Sequence, residues 1–125
     1  MSALVDTSVL AGAGEHAALL PADTWAVSIV SVGELHAGVL LANAGAQQAA
    51  RLRRLSTVLS EAPVLDIDRR VTGCYGELRA ASGRMPTNDL WIAATALAHD
   101  LTLVTADERQ AALPFVRTRH VGSEG

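Results

Sequence analysis

The chain has 125 residues, half of them hydrophobic, which suits one domain spanning 1–125 with a real core and excludes intrinsic disorder. The net charge is −3 and every basic residue is arginine, so bulk positive charge is excluded as a means of gripping nucleic acid and any polyanion contact must be local. A single cysteine, Cys74, excludes an internal disulfide or a cysteine zinc site; with no signal-peptide pattern at Met1–Asp6 and no membrane-length apolar run, a reducing cytoplasm is the expected compartment.

Ala3-Leu4-Val5 reads as a short strand buried on both faces, ending at Asp6. Asp6-Thr7-Ser8 then supplies helix-capping chemistry before Val9-Leu10. Gly12 and Gly14 break that segment, and Glu15 to Leu20 reads as a short helix stopped by Pro21. Trp25 to Ile29 is a second strand. Ser31-Val32-Gly33-Glu34 has the Ser-x-x-Glu form of a capping box, which places Glu34 in the first turn of a helix carrying Leu35, Val39, Leu40 and Leu41. After a turn at Asn43-Ala44-Gly45, Gln47 to Leu59 forms a helix with Leu52, Leu55 and Leu59 on one side. Arg51, Arg53 and Arg54 read as its solvated face.

Pro63 stops that helix, and Val64 to Ile67 is a strand candidate. Asp68 is placed to cap a helix with the apolar stripe Val71, Tyr75 and Leu78, closing at Gly83. The most informative stretch is Pro86 to Asp107. A polar cluster, Thr87-Asn88-Asp89, opens an almost wholly apolar helical run to His99-Asp100. Leu101 to Thr105 follows as a strand, and Asp107 is placed to cap a short helix to Ala112. Asn88 is a candidate to cap the first of these helices or to orient Asp89. Phe115 to Thr118 is the last strand-like piece, and Gly122 to Gly125 reads as a frayed end.

Strands alternating with helices imply an α/β fold with a mostly parallel sheet, in which ligands bind beyond the carboxyl ends of the strands. Asp6 and Asp107 fall just past strand ends; Glu34 and Asp89 fall at helix starts. These positions share one edge of a βα sheet, so four acids far apart in sequence can converge. Each also has a purely structural use, as a cap or a first-turn acid; only the convergence favours chemistry. Clustered carboxylates repel, and a hard divalent cation such as Mg²⁺ or Mn²⁺ relieves the repulsion through oxygen ligands. Asp/Glu without metal-binding His or Cys suits metal-dependent phosphoryl chemistry. Zinc-protease, phosphate-loop and nucleophile-elbow motifs are absent. His36 and His99 are unpaired in spacing and read as surface or satisfied histidines. Thr7, Ser8 and Thr105 sit beside the acids, as caps or to hold a metal-bound water or a hydrogen bond to a ligand carboxylate, and Trp91 reads as core or a subunit contact.

Four segments resemble a PIN domain, specifically a VapC-type toxin of a type II toxin–antitoxin pair. They are Val5 to Leu10, Ser28 to Val39, Asn88 to Ala96, and Leu103 to Asp107. The resemblance implies a three-layer α/β/α sandwich with a mostly parallel central sheet. It implies an endoribonuclease using Mg²⁺ or Mn²⁺, with Asp6, Glu34, Asp89 and Asp107 as catalytic metal ligands and Thr7 or Thr105 in support. It also implies an RNA substrate such as transfer or ribosomal RNA, a cognate VapB-like antitoxin and a homodimer. Where many relatives carry an aromatic residue shortly after the last acid, this chain has Glu108-Arg109-Gln110. Arg84, Arg109, Arg117 and Arg119 are the arginines considered for gripping RNA. The readings from other classes are a catalytically inactive PIN-like module that binds RNA or a partner protein, and a phosphatase or DNA nuclease with similar acids.

Overall fold

The structure is a computed structural model and describes residues 2–11 and 25–122. The helix expected at Glu15 to Leu20, its flanking Gly12, Gly14 and Pro21, and the end of the tail at 123–125 lie outside the described residues. In chain order the elements are β1 (Ala3–Val5), α1 (Thr7–Leu10), β2 (Trp25–Ser28), α2 (Ile29–Leu40), α3 (Gly45–Glu61) and β3 (Val64–Leu65). Then follow α4 (Arg69–Ser82), α5 (Thr87–Ala98), β4 (Thr102–Thr105), α6 (Glu108–Ala111) and β5 (Thr118–His120).

The strands form one five-stranded sheet in the order β3-β2-β1-β4-β5, and every pairing is parallel. Alternation along the strands divides the core in two. Leu4, Ala26 and Leu103 face one side, where Val71 and Leu78 of α4 and Leu90, Ile92 and Ala93 of α5 cover them. Val5, Val27 and Val104 face the other side, against Val9 and Leu10 of α1, Val32, Leu35 and Val39 of α2, and Leu55 and Val58 of α3. This is the three-layer α/β/α arrangement. Each fully buried Leu, Ile or Val contributes roughly 1.5–3 kcal/mol of transfer free energy. Helix α5 is buried on most of its surface, with Leu90, Ile92, Ala93, Ala94, Thr95, Ala96 and Ala98 all enclosed. Such all-round burial explains its near absence of polar residues after the first turn. It ends in a Schellman turn: Asp100 adopts φ 57, with Leu101 N donating to Ala96 O at 2.9 Å and Asp100 N to Leu97 O at 3.2 Å. The chain passes from there straight into β4.

The order in which strands are laid down reverses at β1. Strands β1 to β3 run outward one way, whereas β4 pairs on the other flank of β1. The crevice beyond the carboxyl ends of β1 and β4 is thus the switch point at which parallel sheets bind ligands.

Several local expectations are corrected. Helix α2 is capped by Ser28, whose Oγ accepts from Val30 N at 3.0 Å, so the helix starts at Ile29. β2 therefore stops at Ser28 and does not include Ile29. The capping box at Ser31–Glu34 does not form; Ser31 is buried inside the helix and Glu34 stands in its second turn. Strand β3 is only Val64–Leu65. The last strand is Thr118–His120, not Phe115 to Thr118, because Phe115 turns the chain at φ 72 and is 63% exposed. The caps at Asp6, Asp68 and Asp107 form as expected, and α4 ends at Gly83, whose φ of 63 favours glycine.

Candidate active site

Each acid reaches the switch-point edge through a different local device. Asp6 follows β1, with its backbone N–H still bonded to Val104 O of β4 at 2.9 Å. Its carboxylate caps α1, Oδ2 accepting from Ser8 N at 2.9 Å, and is only 3% exposed. Glu34 is set one turn deeper in α2 than the sequence suggests, and this brings it to Thr7. Thr7 Oγ1 donates to Glu34 Oε1 at 2.5 Å and pairs with Ser31 Oγ at 2.8 Å. Asn88 Nδ2 donates to Glu34 Oε2 at 3.2 Å. Asn88 therefore neither caps α5 nor orients Asp89; it ties the start of α5 to Glu34.

Asp89 lies in the first turn of α5, whose N-cap is Pro86 and carries no side-chain cap. Arg79 of α4 compensates by holding the preceding loop. Its Nη1 donates to Gly83 O at 2.9 Å and Met85 O at 3.0 Å, and its Nη2 to Thr87 Oγ1 at 3.3 Å and Tyr75 Oη at 3.2 Å. Tyr75 is itself stacked on Trp91 of α5 with ring centroids 4.0 Å apart, so Trp91 packs within the protomer between α4 and α5. Asp107 caps α6, its Oδ1 accepting from Arg109 N at 2.8 Å and Gln110 N at 3.2 Å.

The acids are close enough to act on one another. The Asp89 carboxyl is pushed up from 3.8 to about 6, first by burial and then by the charges of Asp6, Asp107 and Glu34 in that order, with Arg109 opposing. All the sequence-predicted acids thus share one electrostatic neighbourhood. Among the described residues, no three His, Cys, Asp or Glu side chains are already gathered into a metal-binding group. The four carboxylates line one edge without forming a closed cage.

A residue that the sequence did not single out joins the acid-bearing elements. Gln110 of α6 is fully buried. Its Nε2 donates to Asp6 Oδ1 and to the Asp89 carbonyl, each at 3.1 Å, while Oε1 accepts from Thr105 Oγ1 at 2.5 Å. The partners fix the amide orientation: a carboxylate and a carbonyl only accept, so the NH₂ must face them. Thr105 Oγ1 in turn accepts from Asp107 N at 3.0 Å and lies 3.3 Å from Ser8 Oγ, which accepts from Ala106 N at 3.0 Å. A continuous polar network therefore runs from the end of β1 to the ends of β4 and α5. A signal was available in the spacing Asp107-x-x-Gln110, a capping-box pattern. The Asp107 N–H is already taken by Thr105, however, which releases the Gln110 side chain to turn inward.

The other candidates separate. His36 is exposed and His99 is half-buried away from the acids. Arg117 pairs with Asp100 at 2.8 Å beyond the opposite end of β4. Of Arg84, Arg109, Arg117 and Arg119, it is Arg109 whose charge reaches Asp89. Arg51 and Arg54 do not belong to a plain solvated face. Both line a cavity with Thr7 and Glu34, while Arg53 is exposed.

Comparison with known proteins places the chain in a family. The PIN domain profile matches residues 3–116. The chain belongs to the PIN-domain family, in its VapC branch. It is 43% identical to ribonuclease VapC4 of Mycobacterium tuberculosis over 125 aligned positions, covering 91% of this chain and 92% of that protein. It is 37% identical to ribonuclease VapC5 of the same organism, covering 88% and 86%. Among solved structures it resembles VapBC-5 of M. tuberculosis, a member of the VapBC family of toxin–antitoxin systems, with TM-score 0.82 and 36% identity, covering 97% of this chain and all of that one. It also resembles FitAcB of Neisseria gonorrhoeae, with TM-score 0.80 and 26% identity, covering 93% and 95%. Among the described residues, no helix is long and apolar enough to cross a membrane.

Proposed function

We propose that this VapC-family protein is a metal-dependent endoribonuclease toxin that hydrolyses RNA phosphodiesters and is restrained by a VapB-like antitoxin. The observation that carries the reading is Asp89. It lies at the switch point of the parallel sheet, close enough to Asp6, Asp107 and Glu34 for burial and their charges to push its carboxyl up to about 6, in a chain similar in sequence to two ribonucleases.

The donor set fits Mg²⁺ or Mn²⁺. Asp6, Glu34, Asp89 and Asp107 offer only oxygen, and the neutral donors Ser8, Gln110, Thr7 and Asn88 orient carboxylates without cancelling their charge. An open edge suits a cation that keeps several waters and takes few protein ligands. When bound, such a cation supplies polarisation of the phosphate and acidification of a water. The chain's own residues supply the rest. Thr7 and Asn88 hold the two oxygens of Glu34 in a fixed plane. Gln110 and Ser8 do the same for Asp6, so these two side chains need little rearrangement on binding. Asp89 makes no side-chain hydrogen bond among the described residues, which leaves its carboxylate available as a ligand or as acceptor of the attacking water's proton. Water adds to phosphorus, the P–O ester bond breaks, and the leaving oxygen is protonated from solvent.

The partner reading follows the relatives: VapBC-5 belongs to a toxin–antitoxin family by its own description. A homodimer belongs to the same proposal, with exposed Phe115 beside Ala80, Ala81 and Leu97 as an apolar face for a second copy. One observation favours a catalytically inactive binding module instead: no three acids stand preassembled among the described residues. The test is cleavage of RNA, DNA and a phosphomonoester side by side, with Mn²⁺ or with chelator, by the wild type and Asp6→Asn. RNA cleavage that needs Mn²⁺ and is lost in Asp6→Asn supports the reading. No cleavage of RNA, together with equal toxicity of Asp6→Asn on expression, sinks it.

A further inference from the structure

Beside the acids lies a cavity of about 240 Å³ lined by Thr7, Glu34, Leu35, Gly38, Arg51 and Arg54. Arg51 and Arg54 are three apart on α3 and so project from the same helix face. Arg51 is anchored, its Nη1 donating to the Gly38 carbonyl of α2 at 2.7 Å. Arg54 is different. It is half-buried, yet it makes no hydrogen bond or ion pair with any described residue. Glu34, the acid that lines the same cavity, is not its partner; both Glu34 oxygens are engaged by Thr7 and Asn88. A guanidinium carries five N–H donors; those of Arg54 are taken by no described residue and are not sealed from solvent, so they are free to meet a ligand that enters the cavity. Such a group is completed by an oxyanion that accepts two parallel N–H bonds.

We propose that this cavity is a second RNA subsite: it takes a backbone phosphate next to the scissile one, with Arg54 as its ligand and Arg51 as the fixed charge behind it. The proposal rests on the ribonuclease reading above. Continuity favours RNA over an acidic peptide. Thr7 and Glu34 belong both to the carboxylate edge and to the cavity, so a strand held by one phosphate at the acids reaches the cavity with a neighbouring phosphate. A peptide carboxylate would gain no such link. A chain of net charge −3 without lysine cannot hold RNA by general attraction, and a local arginine fork beside the cleavage point is the alternative open to it.

The test uses the full chain, Mn²⁺ and a short single-stranded RNA across a series of salt concentrations, with Arg54→Ala, Arg54→Lys and, as control, Arg53→Ala on the exposed side of the same helix. Thermal melting confirms that each variant folds. Arg54→Ala should raise KM roughly tenfold, the loss expected for one charge-assisted phosphate contact, with kcat within about twofold. Its log–log salt slope should be shallower by about 0.7. Arg54→Lys should fall between, and Arg53→Ala should match the wild type. Equal KM and salt slope for Arg54→Ala and Arg53→Ala would overturn the subsite. So would loss of binding to a Glu-rich decapeptide in Arg54→Ala with RNA kinetics unchanged, which would assign the cavity to a protein partner. If the wild type cleaves no RNA, the ribonuclease reading fails on its own, and fluorescence anisotropy with the uncleaved RNA still decides the subsite: equal affinity of wild type and Arg54→Ala rejects it.

Discussion

Replacing Gln110 with methionine keeps its approximate volume and removes its amide. In the folded protein this leaves Asp6 Oδ1 without the donor it has at 3.1 Å and the Thr105 hydroxyl without the acceptor it has at 2.5 Å. The Asp89 carbonyl loses a second donor but sits within a helix, where the backbone ladder supplies another. Leaving a buried polar group unsatisfied costs about 1–3 kcal/mol, and more when the group is charged. Two such groups make the expected loss about 2–6 kcal/mol, a large share of the 5–15 kcal/mol that typical domains possess. The melting temperature should drop by roughly 10–20 °C. Urea denaturation at pH 7 measures the loss, and Mn²⁺ titration of the still-folded variant measures whether Asp6 has lost its orientation; at least tenfold weaker binding is expected, since partners behind the ligands are worth that much. Gln110→Glu should be worse at neutral pH, because a buried carboxylate then faces Asp6, and should recover as acid protonates it. If Gln110→Met unfolds within about 0.5 kcal/mol of the wild type, a change typical of surface sites, and binds Mn²⁺ equally well, the network is not what orients the acids.

Asp89 gives a pH signature. Its folded carboxyl stands at about 6 against an ordinary 3.8, so between these values the folded state holds a proton that the unfolded state has released. Stability without metal should therefore fall as pH rises from 3.8 through about 6. Asp89→Asn should flatten that profile and melt higher than the wild type at pH 7 while abolishing cleavage; parallel melting profiles would contradict the shared field of the acids. Arg79→Met should free the loop before α5, speeding amide exchange across Arg84 to Asp89 and lowering activity several-fold, with about 1 kcal/mol lost overall because the contacts are partly exposed. Unchanged exchange there would show that Arg79 does not position Asp89.

The α/β alternation, the parallel sheet and the shared edge were legible because hydrophobic runs mark strands and because acids directly after them mark strand ends; the strand order was not. Asp6 and Asp107 are read correctly for that reason: each caps the helix that follows its strand. Glu34 is misplaced by a turn because two serines compete to cap α2, and the choice of Ser28 depends on where β2 leaves the sheet, a tertiary fact. The inward role of Gln110 is hidden for a related reason: its spacing from Asp107 suggests only a capping box. Its polarity suggests surface, and only the prior claim of Thr105 on the Asp107 N–H turns it inward. Arg54 looks like its exposed neighbour Arg53 until α2 packs beside α3 and encloses one of them.

In the proposed function, four acids from separate elements form one cation-holding edge that drives RNA cleavage. Calorimetric titration with Mn²⁺, on the wild type and on Asp6→Asn and Asp89→Asn, addresses it most directly. The expected result is binding in the wild type, at least tenfold weakened in either variant, with both variants folded. No heat of binding at millimolar Mn²⁺, or equal affinity in all three proteins, would contradict it.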